Sequence, residues 1–190
     1  MLKDTVKSSR SYRRFYNDIK IGYDDLLDIV EVARYVPSTV NSQPLKFKII
    51  NDEKECEKVF ETLAWAGLLK EWKGPEKDER PSAYIIILGD LSIGKEKYTD
   101  VGITSQTIML AAAEKGYGGC MFGSINRKML AQELAIDTEK FSIELVLALG
   151  KPKEEVRIVD IENGESTAYY RDENSVHYVP KRKLDDLIIK

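Results

Sequence analysis

One short stretch of the sequence, PSTVNSQP at residues 37–44, is rich in neutral hydrogen-bonding side chains and carries no charge. A proline stands at each end and restricts the backbone. Hydroxyl and amide groups donate as well as accept hydrogen bonds, so this set suits a ligand edge on which donors and acceptors alternate. The alternative interpretation is a turn that ends a helix and is stabilised by its own side chains.

Two basic clusters lie near opposite ends of the chain. The first is SRSYRRF at residues 9–15, and the second is PKRKL at residues 180–184. Basic side chains beside short hydroxyl groups suit a phosphate monoester, which presents close to two negative charges and three acceptor oxygens. Each cluster alone can equally be a solvated charged surface, but the two could also converge in space.

Side chains that commonly carry out catalysis are scarce. The single histidine, His177, stands in a charged segment and is expected to be an exposed loop residue. The cysteines, Cys56 and Cys120, are far apart, so neither a disulfide framework nor a zinc site is indicated, and Cys120 is expected to be a small buried residue. Because no metal-binding or dinucleotide-binding motif is present, we assign no catalytic side chain and no metal site. An enzyme of this composition would depend on a cofactor with its own reactivity.

The composition narrows the class of protein. The chain has 190 residues, of which 43% are apolar, and a net charge of −3. These values predict one globular domain and argue against broad binding to nucleic acid. No apolar run approaches the ~18 residues of a membrane span, and the basic N-terminus lacks the apolar region of a signal peptide. We therefore expect a cytoplasmic protein with neither nucleic acid nor membrane as a partner.

Helical and strand patterns alternate along the chain, which predicts an α/β or α+β fold. Helices are predicted at residues 23–36, from Asp52 to about residue 70, at 100–116 and at 126–135. Strands are predicted at 45–50, 83–88 and 142–150, with a short strand or turn at 118–125. The run at 83–88 is continuously apolar and predicts a central strand, while the helix from Asp100 is apolar on most sides and is expected to be buried. Residues 1–150 form the predicted core, and residues 151–190 a charged arm.

Four segments, SRSYRRF, PSTVNSQP, GGCMFG and PKRKL, occur in the order and approximate spacing typical of the FMN-dependent nitroreductase family. The chain resembles that family over nearly its whole length, and its patterns are R-R-S-x-R-x-F and P-S-x-x-N-x-Q-P-W. The PSxxNxQP block is the most specific of these elements. Ser9 stands where the family commonly has arginine, and Leu45 where tryptophan is frequent.

The resemblance implies an α+β fold, a nitroreductase-like three-layer α/β/α sandwich with a central mixed, largely antiparallel sheet and an extended C-terminal arm. It also implies a homodimer in which the arm wraps the partner subunit and FMN lies at the interface. The residues that match the family's phosphate and ribityl contacts are Arg10, Ser11 and Arg13. Those that match its contacts along the flavin are Pro37, Ser38, Thr39, Asn41 and Gln43. Met121, Phe122 and Gly123 match the segment whose backbone faces flavin N5, and Lys181 and Lys183 match the basic positions near the C-terminus.

The resemblance implies an oxidoreductase that takes electrons from NAD(P)H through FMN and passes them to small aromatic acceptors, such as nitro compounds and quinones. Donor and acceptor would use one site in turn, which is a ping-pong mechanism. The segment between the first strand and the central strand is short, and Trp65 and Trp72 could stack over an acceptor there or serve as core or subunit-contact residues. The alternatives to this function are a non-catalytic protein that binds or senses flavin and a specialised, dehalogenase-like flavin enzyme on the same fold.

Overall fold

The protein is described by a computed structural model that covers residues 1–69, 71–94 and 97–189. Its helices are α1 (Leu2–Ser8), α2 (Tyr23–Val32), α3 (Glu53–Phe60), α4 (Tyr98–Glu114) and α5 (Arg127–Glu133). Its strands are β1 (Phe15–Tyr16), β2 (Leu45–Ile50), β3 (Ala83–Asp90), β4 (Gly118–Phe122), β5 (Phe141–Pro152), β6 (Val156–Ile161), β7 (Tyr170–Arg171) and β8 (His177–Arg182). Short 3₁₀ turns occur at Ala33–Tyr35, Thr39–Asn41, Lys77–Glu79 and Leu184–Asp186.

The main sheet has five strands in the order β1-β5-β3-β2, and β4 also pairs with β5. The strand β3 is buried from Ala83 to Gly89, as its continuous apolar sequence predicts for a central strand. Strand pairing in this sheet is antiparallel throughout. Its parallel component, which the resemblance led us to expect, is limited in the described residues to an isolated bridge between Ser11 and Gly119.

Helices cover both faces of this sheet. Successive side chains of a strand point to opposite faces. Accordingly, Tyr84 and Ile86 pack in a cluster with α3 and α5, whereas Ile85 and Ile87 pack in a second cluster with α2 and α4. Each fully buried apolar side chain of this size contributes roughly 1.5–3 kcal/mol, so the two clusters hold the helices firmly against the sheet. The predicted α+β three-layer sandwich is confirmed.

The helix that begins at Asp52 is much shorter than predicted. Asp52 caps it as expected by accepting hydrogen bonds from the backbone amides of Lys54 and Glu55, but α3 ends at Phe60 and does not reach residue 70. Beyond it, Leu63 forms a bridge with Ile125, and the Ala64 amide donates to the Ser124 carbonyl at 3.1 Å. Pairing with a distant segment replaces the helical hydrogen bonds there. Lys70, which the prediction includes, lies outside the described residues.

The long helix α4 begins two residues before Asp100 and is followed by Gly116, whose φ of +78° matches the predicted helix end. Its burial is one-sided, contrary to the expectation. Gly102, Ile103 and Gln106 are exposed, and Ile103 retains 38% of its accessible surface. An exposed isoleucine on a helix that is otherwise packed against the sheet leaves an apolar surface available.

The C-terminal segment, which the sequence predicts to be a charged arm, forms strands of its own. Strands β6, β8 and β7 form a second sheet in which β6 and β8 are parallel. His177 is also not the exposed loop residue that the charged sequence suggested, because it begins β8 with only 1% of its surface accessible. The end of the chain is different: Leu184, Leu187 and Ile188 are all more than half exposed. Among the described residues, no helix has the length and apolar character needed to cross a membrane.

Candidate functional site

The neutral loop at residues 37–44 is held by Asp100 on the first turn of α4. The Asp100 carboxylate accepts hydrogen bonds from the Ser38 hydroxyl, from the Thr39 hydroxyl at 2.8 Å and from the Thr39 amide at 3.1 Å. The backbone of the loop is unusual, since Val40, Asn41 and Gln43 all have positive φ values. A conformation that side chains disfavour must be maintained by its surroundings, and Asp100 supplies that anchor.

The carboxylate of Asp100 is nearly inaccessible to solvent, at 2% exposure. Burial alone would raise its pKa, but the hydrogen bonds from Ser38 and Thr39 outweigh that effect and hold the pKa below its ordinary value. The residue is therefore ionised at neutral pH. The loop also borders a groove of about 250 Å³, whose lining includes Pro37, Gln43, Phe47 and Thr104.

A second pocket forms where the N-terminal segment runs beside β4. The Tyr12 amide donates to the Gly119 carbonyl at 2.9 Å, and the neighbouring Ser11 forms the bridge with Gly119. These contacts place the SRS sequence against the edge of the sheet. The pocket has a volume of about 240 Å³, and its lining consists of Ser9, Arg10, Ser11, Gln106, Met109 and Met121.

Arg10 gives this pocket a positive charge, and not all of its N–H donors have an acceptor in the described part of the chain. One terminal nitrogen of its guanidinium, Nη2, donates to the Val6 carbonyl at 2.6 Å, but its Nε is buried without a hydrogen-bond partner among the described residues. A buried donor on a cation is costly unless an acceptor reaches it. Ser11 and the half-exposed Met121 stand beside it, so the pocket combines a cationic donor, a hydroxyl and apolar surface. This combination fits the phosphate and the ring edge of a flavin mononucleotide.

Arg13 does not line that pocket but lies against the C-terminal sheet, with 8% of its surface exposed. Its backbone amide donates to Glu154, and its Nη1 donates to the Ser11 carbonyl at 3.2 Å. The same Nη1 lies 3.1 Å from Nε2 of His177, and the guanidinium sits 4.6 Å from the centre of the Tyr169 ring. The N-terminal basic cluster is therefore divided between the pocket and a buried network.

His177 is neutral in this network. Burial, together with the neighbouring guanidinium groups of Arg13 and Arg171, lowers its pKa to about 4. Because Arg13 can only donate, Nε2 of the neutral ring accepts the hydrogen bond and the ring proton lies on Nδ1. Glu154 carries the negative charge of the cluster, and it also accepts from Arg171 at 2.8 Å.

The other residues predicted near the pocket are placed as follows. The side chain of Phe122 is buried in the core, whereas Gly123 is exposed. Cys120 is buried as expected, and its burial raises the pKa of the thiol to about 11. Lys181 on β8 and Lys183 just after that strand are both exposed, and Lys183 forms an ion pair with Glu162.

The two tryptophans occupy different environments. Trp65 packs against the core, with ring centres 4.6 Å from Phe122 and 5.4 Å from Phe60. Its contacts favour the core interpretation over a role in the pocket. Trp72 lies edge-on to Trp65 and beneath the guanidinium of Arg171, and it borders an open groove with Leu69.

Within one chain, the neutral loop and the Arg10 pocket lie on different sides of α4. Asp100 and Thr104 face the loop, whereas Gln106 and Met109 line the pocket. An α-helix advances about 100° per residue, so the two pairs are separated by roughly 120–180° around the helix axis. A single copy of the chain therefore does not bring both groups of predicted residues to one ligand.

Sequence reasoning missed the roles of three residues that organise these regions, namely Asp100, Glu154 and His177. Asp100 was recognised as part of a helix start but not as the anchor of the loop, although an acidic residue in a helix expected to be buried is a usable signal. Glu154 and the Arg13–His177 contact had no local signal, because the partners lie 141 and 164 residues apart in the chain.

Comparison with known proteins is consistent with this geometry. The sequence profile of the Nitroreductase family matches residues 6–151. A relative from Archaeoglobus fulgidus, named "Putative NADH dehydrogenase/NAD(P)H nitroreductase", is 29% identical over 150 residues and is matched over 75% of this chain and 80% of its own. Another, from Thermotoga neapolitana, is named "Iodotyrosine deiodinase" and is 27% identical over 169 residues, covering 80% of this chain and 89% of its own.

Solved structures show the same fold. A crystal structure from Desulfovibrio desulfuricans, described as a "putative nitroreductase in complex with fmn", has a TM-score of 0.71 at 22% identity and covers 100% of this chain and 95% of its own. The predicted family and the predicted oxidoreductase class are confirmed. Since the profile covers most of the length and the fold agrees, this chain belongs to the Nitroreductase family.

Proposed function

We propose that the protein binds FMN and acts as an NAD(P)H-dependent oxidoreductase that reduces small aromatic acceptors, such as nitro compounds and quinones. The observation that carries the proposal is the pocket beside β4, where the Nε of Arg10, buried and without a partner in the described part of the chain, lies next to Ser11 and Met121. A phosphate monoester satisfies this donor with charge-assisted hydrogen bonds. When bound, FMN supplies the two-electron transfer between NAD(P)H and the acceptor.

The chain's own residues bind and orient the cofactor. Arg10 and Ser11 would hold the phosphate end, and the backbone from Met121 to Gly123 would border the ring. The neutral loop would contact the polar ring edge through Asn41 and Gln43, whose side chains are exposed. Ser38 and Thr39 donate their hydroxyl protons to Asp100, so toward the flavin they would act as hydrogen-bond acceptors.

A homodimer would join the two halves of this site. The loop and the Arg10 pocket lie on different sides of α4, so one copy would present its loop to the pocket of the other. Ile103 on α4 and the apolar end of the chain, Leu184–Ile189, are exposed and would be covered by the partner. Covering such surface supplies the hydrophobic free energy of association. Lys181 and Lys183 face solvent in one chain and stand just before this apolar end. They would therefore lie near the partner subunit when the apolar end is covered by it.

The acceptor region remains open in this arrangement. Trp72 borders a groove with Leu69, Glu71 and Arg171, and it is the better placed of the two tryptophans to contact an aromatic acceptor. The shortness of the segment between β2 and β3 limits the cover over this region. A poorly covered site favours several flat acceptors over one specific substrate.

Flavin titration of the purified protein tests the proposal. Bound FMN should shift the visible absorption spectrum, NAD(P)H should bleach that spectrum without oxygen, and a quinone or nitroaromatic compound should restore it. Because donor and acceptor take the same place in turn, double-reciprocal rate plots should be parallel. Failure to bind FMN would overturn the proposal. Bound FMN that NAD(P)H leaves unchanged would establish the non-catalytic alternative, and intersecting lines would exclude the shared site.

A dehalogenase-like activity is the second candidate, and the relative named as a deiodinase is the observation that favours it. The same flavin-loaded protein, given a chemical reductant and 3-iodotyrosine, distinguishes the two. Release of iodide at a rate that exceeds quinone reduction would favour the specialised enzyme. Quinone reduction without iodide release would favour the general oxidoreductase.

A further inference from the structure

The guanidinium group of Arg13 is fixed by the C-terminal sheet and not by its own segment alone. His177 accepts from Nη1 at 3.1 Å, and the Tyr169 ring stacks under the guanidinium at 4.6 Å. Glu154, which is 8% exposed, accepts from the backbone amide of Arg13. Glu154, Tyr169 and His177 therefore together set the position and the plane of this arginine.

The arrangement leaves part of the arginine available. In the described part of the chain, the side-chain hydrogen bonds of Arg13 run through Nη1, to the Ser11 carbonyl and to His177. An arginine has five N–H donors in a fixed fork, so Nη2 and Nε remain for a ligand. Ser11 lines the Arg10 pocket, and its carbonyl accepts from Nη1 of Arg13 at 3.2 Å, so the guanidinium group lies next to a residue of that pocket.

The ring of His177 suits the task of orienting a cation. It is 1% exposed and uncharged, so it accepts a hydrogen bond from Arg13 without adding a competing charge. A lysine or arginine at that place would repel Arg13, and a carboxylate would neutralise the charge that a phosphate requires. Glu154 does not remove that charge entirely, because it also pairs with Arg171 and leaves the cluster of two arginines and one carboxylate with a net positive charge.

We propose that His177 is a positioning residue that orients Arg13 toward the phosphate group of FMN, with Glu154 fixing the backbone. This inference rests on the proposed function, and it names a specific contribution of the C-terminal sheet to the site. In a purely structural role, the same contacts would only attach the second sheet to the core. The two roles differ in one measurable respect, because orientation of Arg13 affects a ligand with a phosphate and not one without it.

Riboflavin lacks the phosphate of FMN and otherwise shares its ring and ribityl chain, so the ratio of the two affinities isolates the phosphate contact. Full-length wild-type protein and four variants are titrated with each flavin, with flavin fluorescence as the readout. Arg13→Gln removes the cation. His177→Phe keeps the ring volume but removes the acceptor, and His177→Gln restores an acceptor near the position of Nε2. Tyr178→Phe is the control, because Tyr178 follows His177 in β8 and its hydroxyl donates to Asp172, with no contact to Arg13 among the described residues.

We expect Arg13→Gln to weaken FMN binding at least about tenfold and to leave riboflavin binding unchanged, as the loss of a charge-assisted contact predicts. His177→Phe should produce a smaller loss, on the order of fivefold, with the same selectivity for FMN. His177→Gln should recover most of that loss, and Tyr178→Phe should bind both flavins as the wild type does. Thermal unfolding of each variant shows whether the protein measured is folded.

Equal weakening of both flavins in His177→Phe would overturn the positioning role and leave a structural one. If the Phe variant does not fold, a crystal structure of His177→Gln decides. The positioning role is also refuted if no group accepts from Nη1 of Arg13 in that structure and His177→Gln still keeps the wild-type ratio of the two flavin affinities, while Arg13→Gln loses it. An unchanged ratio in Arg13→Gln would remove Arg13 itself from the phosphate site. Wild-type protein that binds neither flavin would instead refute the proposed function, so the two failures are distinguishable.

Discussion

Glu79 joins three separate parts of the chain, and its replacement is expected to destabilise the fold in a pH-dependent manner. Its carboxylate accepts two hydrogen bonds from Arg14, at 2.6 and 2.7 Å, and forms an ion pair with Lys153 at 2.9 Å. The residue is only 7% exposed. It therefore links the N-terminal segment and the start of the C-terminal segment through the loop before β3.

The magnitude follows from the pKa of the carboxyl group. The hydrogen bonds from Arg14 are the largest influence and, with Lys153, lower the pKa of Glu79 from 4.5 to about 2. A difference of one pKa unit corresponds to about 1.4 kcal/mol, so the ionised form contributes about 3 kcal/mol to the free energy of unfolding. Because the folded-state pKa is lowered, this contribution is present above the unfolded-state value of 4.5 and is lost as the pH falls toward 2.

Glu79→Gln should accordingly lower the free energy of unfolding by about 2–3 kcal/mol at pH 7. The difference from the wild type should shrink between pH 5 and pH 3, since the wild-type carboxylate itself begins to be protonated there. Urea unfolding followed by tryptophan fluorescence measures both values. All samples are compared at one protein concentration, because association would make stability depend on concentration.

Asp78→Asn is the matched control. Asp78 belongs to the same 3₁₀ turn and lies 3.6 Å from Lys153, but its side chain is 77% exposed. Exposed ion pairs contribute about 0–1 kcal/mol, so this variant should remain close to the wild type at every pH. The reasoning is wrong if Glu79→Gln costs no more than Asp78→Asn at pH 7, or if its cost is the same at pH 7 and pH 3.

Three further predictions concern the loop, the end of the chain and the thiols. Asp100→Ala should lower the free energy of unfolding by about 2–3 kcal/mol, because three donors of the loop lose a buried carboxylate; urea unfolding checks this, and an equal effect of Ala at the exposed neighbour Thr99 would contradict it. Removal of residues 184–190 should shift the protein from dimer to monomer in light scattering while the second sheet stays folded, and an unchanged mass would show that the apolar end does not contact a partner. Burial raises the pKa of the Cys56 thiol to about 12 and that of Cys120 to about 11, so a thiol reagent at pH 8 should modify the native protein far more slowly than the urea-unfolded protein; equal rates would show that the thiols are accessible.

The sequence predicted those features whose cause is local. The central strand β3 is a continuous apolar run, and Gly116 ends α4 because the chain needs a positive φ there. The loop at residues 37–44 was recognised from its side chains and its prolines. Neighbours within a few residues decide the conformation of the strand and of the helix end, whereas the backbone of the loop is also held by the distant Asp100.

Other features depend on contacts between distant segments and could not be predicted. The helix α3 ends at Phe60 because Leu63 pairs with Ile125, a contact that the apolar periodicity of residues 59–69 gives no sign of. The charged composition of the C-terminal segment suggested exposure, yet His177 is buried, with Arg13 as the partner of its ring and the Glu155 carbonyl as the acceptor for its backbone amide. The composition of a segment indicates its average exposure to solvent, whereas the burial of His177 depends on a few specific polar contacts.

The contact between the N-terminal segment and β4 has a consequence for how the GGCMFG sequence should be interpreted. A Cβ atom at Gly119 would lie 2.2 Å from the Ala148 carbonyl oxygen, and one at Gly118 would lie 2.5 Å from the Tyr12 ring. A side chain at Gly119 would displace the strand backbone, and one at Gly118 would displace the Tyr12 ring, which follows Ser11 in the segment that packs on β4. These two glycines are required by space, whereas Gly123 has open space around it and is the one glycine of the motif that tolerates a side chain sterically. Substituting Gly123 therefore probes the surface offered to the cofactor, while substituting Gly118 or Gly119 only measures how tightly the strands are packed.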